Sequence, residues 1–375
     1  MKNVRYAMEK KDIINFIDEN DKEAIASSGM DFSEKSRSAS FIQEDNRVIL
    51  YRSLFKGIEI MGIEEALRTY PEVKKRYWGS AFTKLRKDYP RDTEGGYFIR
   101  VKKGEKVAFP IQACLFLKKN RFNQKVHNII IVEEGARVYL ITGCSASRAA
   151  NESFHLGISE FFIHKDGYLN FTMIHSWKDD VRVKPVSVAF VEEGATFVSN
   201  YVCLKPVREV VMYPTAVLSG EGARASFNSL LLSYRGSSQD IGSRVIFKSP
   251  STQAEIISRA VSLGGRIIAR GHLKAEAASV KAHLECRGLV ISERGTIHAV
   301  PELETDFRDV DLSHEAAIGK ISKEEIEYLC SRGMSKNEAQ SVIIRGFMNV
   351  DILALPQALQ QEIKNLEDRT LEGSF

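Results

Sequence analysis

The spacing of apolar positions changes twice along this chain of 375 residues. Up to about residue 89, segments such as KKDIINFIDEN and GIEEALRTYPEVKKRYW put apolar residues three and four apart, with Pro71 and Pro90 as breaks. That spacing predicts an N-terminal helical region over residues 1–94. Over residues 95–317 the period shortens, and short runs rich in Val, Ile, Phe and Thr alternate with glycines, as strands do. From Ser322 the longer period returns. Ser322 with Glu325, and Ser335 with Glu338, have the spacing of a capping box, in which each side chain bonds the other residue's backbone N–H. Ile326, Leu329 and Cys330 form an apolar stripe, Gly333 and Met334 a turn, and LPQALQQEIKNLEDRTL a third helix around and after Pro356. Residues 318–375 therefore read as a C-terminal helical domain behind a β domain over 95–317.

One phrase recurs in the β zone. EEGARVYLI begins at Glu133, EEGATFVSN at Glu192, GEGARASFN at Gly220 and SERGTIHAV at Ser292, with looser copies KKGEKVAFP at Lys102 and HKDGYLNFT at His164. Each is a charged turn, a glycine and an alternating strand, mostly about thirty residues apart, a period typical of solenoids. Glycine supplies the turn conformation, and stacking lets each repeat bury what it cannot bury alone. A parallel β-helix flanked by helical ends accounts for this better than a pair of β-sandwiches, the structural alternative.

Composition narrows the function classes. A hydrophobic fraction of 43% and a charged fraction of 27% describe a globular chain. A net charge of +4, from 53 basic and 49 acidic residues, lacks the dense basic face of a nucleic-acid binder. No run approaches the roughly twenty apolar residues of a membrane span, and charges interrupt the N-terminus where a secretory signal would be apolar. Five cysteines, Cys114, Cys144, Cys203, Cys286 and Cys330, are scattered without a CxxC pair. That distribution points to reduced thiols and a cytoplasmic location. The chain has no GxxxxGK[ST], strand-borne GxGxxG, GxSxG or HExxH, so phosphate and hydride chemistry have no support.

The richest stretch for chemistry is KAHLECRGLVISERGTIHAVPELETDFRDVDLSHEAAIGK, residues 281–320. It gathers a thiol, Cys286, three imidazoles, His283, His298 and His314, and several carboxylates within two or three strand passes. Thiolate and imidazole suit iron, zinc and iron–sulfur clusters. Taken singly, each residue has a plainer reading. Cys286 alternates with Ala282 and Leu284 as a small core residue would. His283 and His298 fit solvated strand histidines, and Asp306, Asp309 and Asp311 a solvated loop. Those three aspartates could also serve a β-helix carbohydrate-active enzyme as an acid/base set. A self-assembling solenoid without cofactor is the other alternative.

SHEAAIGKISKEEIEYLCSRGMSKNEAQSVIIRGF, residues 313–347, resembles the C-terminal hallmark of the SufB/SufD family of iron–sulfur cluster assembly proteins. GGYFIRVKKGEKVAFPIQ, IIIVEEGARVYLITGCSA and FHLGISEFFIHKDGYLNFTMIHSW resemble further blocks of that family, so the similarity covers about residues 95–348. The resemblance implies a right-handed parallel β-helix and a non-catalytic scaffold that holds a transient iron–sulfur cluster. It assigns Cys286, His314 and Glu315 to cluster and sulfur binding, and Cys144 to the point where sulfur enters. It implies that the C-terminal helices, through Tyr328, Arg332, Gly333, Ile344 and Phe347, dock a SufC-like ABC ATPase. A sulfur donor such as a cysteine desulfurase and recipient apoproteins complete the expected partners. Because His314 and Glu315 stand side by side in one chain, a homodimer is expected in place of a mixed pair.

Overall fold

The computed structural model describes residues 17–32, 35–353 and positions 355, 360, 361, 363–365 and 368. Among these, two ten-stranded sheets wind around a common axis as a parallel β-solenoid of about eight turns. From Ile111–Leu117 onward successive strands go to alternate sheets, with Glu209–Met212 and Thr215–Leu218 together filling one strand position, so each pairs with strands one coil away. Arg224–Ser233, Gln253–Ser262, Val280–Val290 and Val310–Gly319 stack in this way without a register shift. Ser238–Phe247, Arg266–Ala275 and Thr296–Thr305 do the same in the opposite sheet.

The recurring glycine phrase has a physical basis at one corner of the coil. Gly104, Gly135, Gly194 and Gly222 all have left-handed φ, at 74°, 65°, 64° and 70°, which only glycine adopts without steric cost. Their amides bond forward to the next coil, Gly135 N–H to Lys165 O at 2.8 Å and Gly194 N–H to Glu221 O at 2.9 Å. Two copies need correction. In HKDGYLNFT the left-handed residue is Asp166, with φ 56°, and its amide joins the same ladder through Glu193 O. SERGTIHAV belongs to a different corner, because it precedes Thr296–Thr305 in the other sheet.

Strands also begin earlier than the sequence period suggested. Ala39–Glu44 and Arg47–Ser53 form an antiparallel hairpin, and Ala39–Glu44 pairs in parallel with Ile111–Leu117. Asp45, with φ 52°, makes the tight turn between them. The helical pattern in GIEEALRTYPEVKKRYW is confirmed by the helices Ile63–Thr69 and Pro71–Arg76, the second beginning with Pro where its missing N–H costs nothing. KKDIINFIDEN falls mostly outside the described residues.

Apolar side chains fill the lumen, and further layers cover the outer faces of the early coils. On one sheet Phe98, Ile129, Ile131, Ile158 and Phe162 are covered by Ile63, Val73, Ala81 and Phe82 of the N-terminal helices. On the other, Ile141, Ile174, Val202, Leu230 and Val261 are covered by Ile344 and Met348 of the helix Lys336–Met348, followed by Leu353. Asn200 Nδ2 donates to Leu353 O at 2.9 Å and Asn170 Nδ2 to the same oxygen at 3.2 Å. Both expected capping boxes are present, at Ser322–Glu325 and Ser335–Glu338. The helix expected around and after Pro356 lies mostly outside the described residues.

Candidate functional site

The side-chain period of two on a strand, combined with the fixed register, decides what can meet at the C-terminal end of the solenoid. Cys286 stands between Ser258 on the preceding coil and Ala316 on the following one, Leu284 stands opposite His314, and Glu285 opposite Glu315. Ala282, Leu284 and Cys286 point into the lumen core. His283, Glu285 and Arg287 fall on the outer face, and Glu315 shares that face.

Cys286 is 3% exposed. Burial, with a contribution from the Glu285 carboxylate, pushes its thiol up to about 11, against a smaller opposing effect of Arg259. At neutral pH the group is therefore a protonated thiol, and binding iron or sulfane sulfur must displace its proton. His314 has the inward parity of Cys286, one coil on and offset by two residues along the strand. It is nonetheless exposed, because the strands Thr296–Thr305 and Val310–Gly319 are the last in their sheets and, among the described residues, nothing stacks beyond them. The structure thus brings Cys286 and His314 to one face on neighbouring coils, with Glu315 on the opposite face of the His314 strand.

Glu315 has other neighbours. His283, Glu285 and Glu315 each offer a ligand atom, and these atoms lie within 4.8 Å of one another. Arg287 bridges the two carboxylates, with Nε 2.8 Å from Glu285 and Nη2 3.3 Å from Glu315. Sequence reasoning read His283 as a solvated strand histidine and did not single out Glu285. The signal was the coil length, because Glu285 and Glu315 differ by 30 in the numbering and so lie side by side on adjacent strands.

Cys144 lies in the lumen at 1% exposure, and burial holds its thiol well above the usual range. It is in register with His175, and His175 with Cys203. From there a polar row continues. His175 Nδ1 is 2.8 Å from the Tyr201 hydroxyl, Tyr201 stands beside Ser229, and Ser229 Oγ donates to Ser258 Oγ at 3.0 Å. Ser258 is the register neighbour of Cys286. A cavity of about 30 Å³ lies along the row, lined in part by Tyr201, Ser229 and Ser258, which is room for a single water.

The C-terminal helices divide into anchor and surface. Tyr328 is 58% exposed, and Arg332 stacks on its ring at 5.2 Å while donating to its hydroxyl at 3.0 Å. Gly333, with φ 94°, ends the first helix. Ile344, expected on a docking surface, is instead fully buried against the solenoid with Phe347 packed beside it, since every fourth residue of that helix faces the sheet. Among the described residues, Asp306, Asp309 and Asp311 do not gather their carboxylates within 4.8 Å of one another. Asp309 accepts from the Ser279 hydroxyl at 2.6 Å, and Asp311 stands in register with Lys281.

Among the described residues, the two-sheet solenoid thus has a covered body and an exposed C-terminal end, where thiol, imidazole and carboxylate groups lie on neighbouring coils. Residues 115–347 match the family model described as SUF system FeS cluster assembly, SufBD core domain. An iron–sulfur cluster assembly SufBD family protein of Archaeoglobus fulgidus is 48% identical over 94% of each chain. A protein so described from Methanothermobacter thermautotrophicus is 42% identical over 92% of this chain and 86% of its own, and one from Pyrococcus horikoshii 30% identical over 89% and 77%. The chain belongs to the SufBD family of iron–sulfur cluster assembly proteins. Among the described residues, no helix is long and apolar enough to cross a membrane.

Proposed function

We propose that this chain is a non-catalytic scaffold subunit of a cytoplasmic SUF-type complex, building a nascent iron–sulfur cluster at the interface between two copies of itself. The observation that carries this reading is the open end of the solenoid. Among the described residues, two terminal strands present unpaired edges, which invite further pairing, and Leu303, Phe307 and Ile318 are exposed there. A second copy related by a twofold axis would present the same strands in return. It would cover that apolar surface and place a second His314 and Glu315 near the first Cys286.

In this reading Cys286 supplies the soft thiolate, and His314 and Glu315 the weaker ligands that release a finished cluster to an apoprotein. The cluster is cargo. Sulfane sulfur comes from a persulfide donor such as a cysteine desulfurase: the thiolate of Cys144, or of Cys286 directly, attacks the outer sulfur, and the donor leaves as its thiolate. Both thiols are buried and protonated, so the resting chain is closed to its substrates. An ABC ATPase of the SufC kind, docked on the surface formed by Tyr328, Arg332, Gly333 and the exposed edge of Phe347, would supply the opening motion. ATP hydrolysis belongs to that partner.

Anaerobic reconstitution of the full chain with iron and sulfide, followed by visible charge-transfer absorbance, tests the site. Cys286→Ala is expected to abolish cluster retention, and an unchanged yield in that variant overturns the assignment. Co-purification with an ABC-type ATPase, lost on Tyr328→Ala with Arg332→Ala, tests the docking surface.

A further inference from the structure

We propose that His283, Glu285 and Glu315 form a binding site for a divalent first-row transition-metal ion on the outer face of the solenoid, distinct from the Cys286 thiol in the lumen. The three ligand atoms already lie within 4.8 Å of one another, so one cation could contact all three after small side-chain adjustments. Two carboxylates directly opposite each other on adjacent strands repel, and Glu285 and Glu315 are so placed. That arrangement requires positive charge between them.

Arg287 supplies that charge in the metal-free chain. It bridges both carboxylates from an exposed position, with its side chain 45% accessible, and can swing into solvent. Arg259, only 12% accessible, holds Glu285 from the other side at 2.5 Å and stays in place. Glu255 stands in register with His283 on the preceding strand and adds negative potential beside the ring. His283 Nδ1 is fixed by Ser313 Oγ at 2.9 Å, as the second nitrogen of a ligating histidine usually is, which leaves Nε2 for the metal. One imidazole and two carboxylates suit Fe(II), Mn(II), Co(II) and Zn(II), whereas Mg(II) prefers an all-oxygen set.

The site itself stands independently of the assembly role. If the proposed function holds, the site is where ferrous iron waits before meeting sulfur, since Glu285 and Cys286 are consecutive residues on opposite faces of one strand. The metal is then delivered to the same coil from outside while sulfur arrives from within.

Cobalt(II) titrated anaerobically into the chelator-treated full chain, read by its visible ligand-field bands, tests the proposal. One Co(II) per chain is expected. His283→Ala should weaken binding at least about tenfold, the scale on which even supporting groups act, while circular dichroism shows the variant folded. Arg287→Gln should tighten binding by removing a competitor, an effect that a purely structural ion pair would not produce. Cys286→Ala should leave both affinity and spectrum unchanged. Absence of stoichiometric Co(II), retention of full affinity in His283→Ala, weaker binding in Arg287→Gln, or a thiolate-to-metal band that disappears in Cys286→Ala would each overturn it. Cluster reconstitution on the same proteins reports the proposed function separately, so failure of one reading is visible apart from failure of the other.

Discussion

The coils spanning residues 123–176 and those spanning 280–319 use the same strand geometry and reach opposite environments. In Asn123–Val132, Arg137–Ala146 and Phe154–Ile163 nearly every residue is buried, because helices cover the sheets from outside while neighbouring coils fill the lumen. In Val280–Val290 burial alternates, and Val310–Gly319 is almost wholly exposed. In the sheet that holds Arg137–Ala146 and Val310–Gly319 the parallel ladder continues unbroken between the two regions, so the difference comes from what covers each strand. Sheets buried on both faces keep groups such as Cys144 and His175 from solvent, whereas His314 and Glu315 are exposed where cover runs out.

The largest expected effect separates body from end. Phe161 packs between Phe171 and Phe197, with ring centroids 4.8 and 5.2 Å away. Phe161→Ala should cost about 3–5 kcal/mol by cavity formation, measured by denaturant unfolding. Phe307 is 41% exposed at the open end, and Phe307→Ala should cost under about 0.5 kcal/mol in the isolated chain. Equal costs would mean that the body and the open end are packed alike.

Acid should attack the body first. Burial pushes His155 down to about 3 from an ordinary value of 6.5, and holds His175 well below the usual range. A base whose folded value is depressed binds fewer protons in the fold than in the unfolded chain. Its contribution is complete above pH 6.5 and is lost as pH falls toward 3. His155 alone should then remove about 3 kcal/mol by pH 4, at about 1.4 kcal/mol per unit. Unfolding monitored from pH 7 to pH 4 should show that slope, and His155→Gln should reduce it.

The C-terminal cover offers a gentler perturbation. Asn200→Ala removes the 2.9 Å bond to Leu353 O and disturbs the stacked amides of Asn170 and Asn228. A cost of about 1–3 kcal/mol is expected. Hydrogen exchange should accelerate first around residues 344–353, with the lumen strands unchanged.

The solenoid was legible in the sequence because its turn needs a left-handed residue once per coil, and Gly135, Gly194 and Gly222 mark it. The hairpin at Ala39–Glu44 was missed because its strands lie among helical segments and its left-handed residue is Asp45. At the site, Cys286, His314 and Glu315 could be named by resemblance, but their faces could not. Only the register puts Cys286 and Glu315 on opposite sides of the sheet, and only the coil length brings Glu285 beside Glu315. Ile344 shows the converse limit, since a family motif does not say which of its residues face inward.

The smallest effect on stability should accompany the clearest effect on association. Ile318 is 45% exposed on the last strand, and Ile318→Asp removes no contact that the isolated chain makes strongly. Its unfolding free energy should change by less than about 0.5 kcal/mol at protein concentrations too low for pairing. If a second copy covers this end, the same change buries an unpaired carboxylate in the interface, which costs several kcal/mol. Light scattering should then report a monomer where the unsubstituted chain is a dimer. A variant that still dimerises would show that the copies meet elsewhere, leaving the open edge to a different partner.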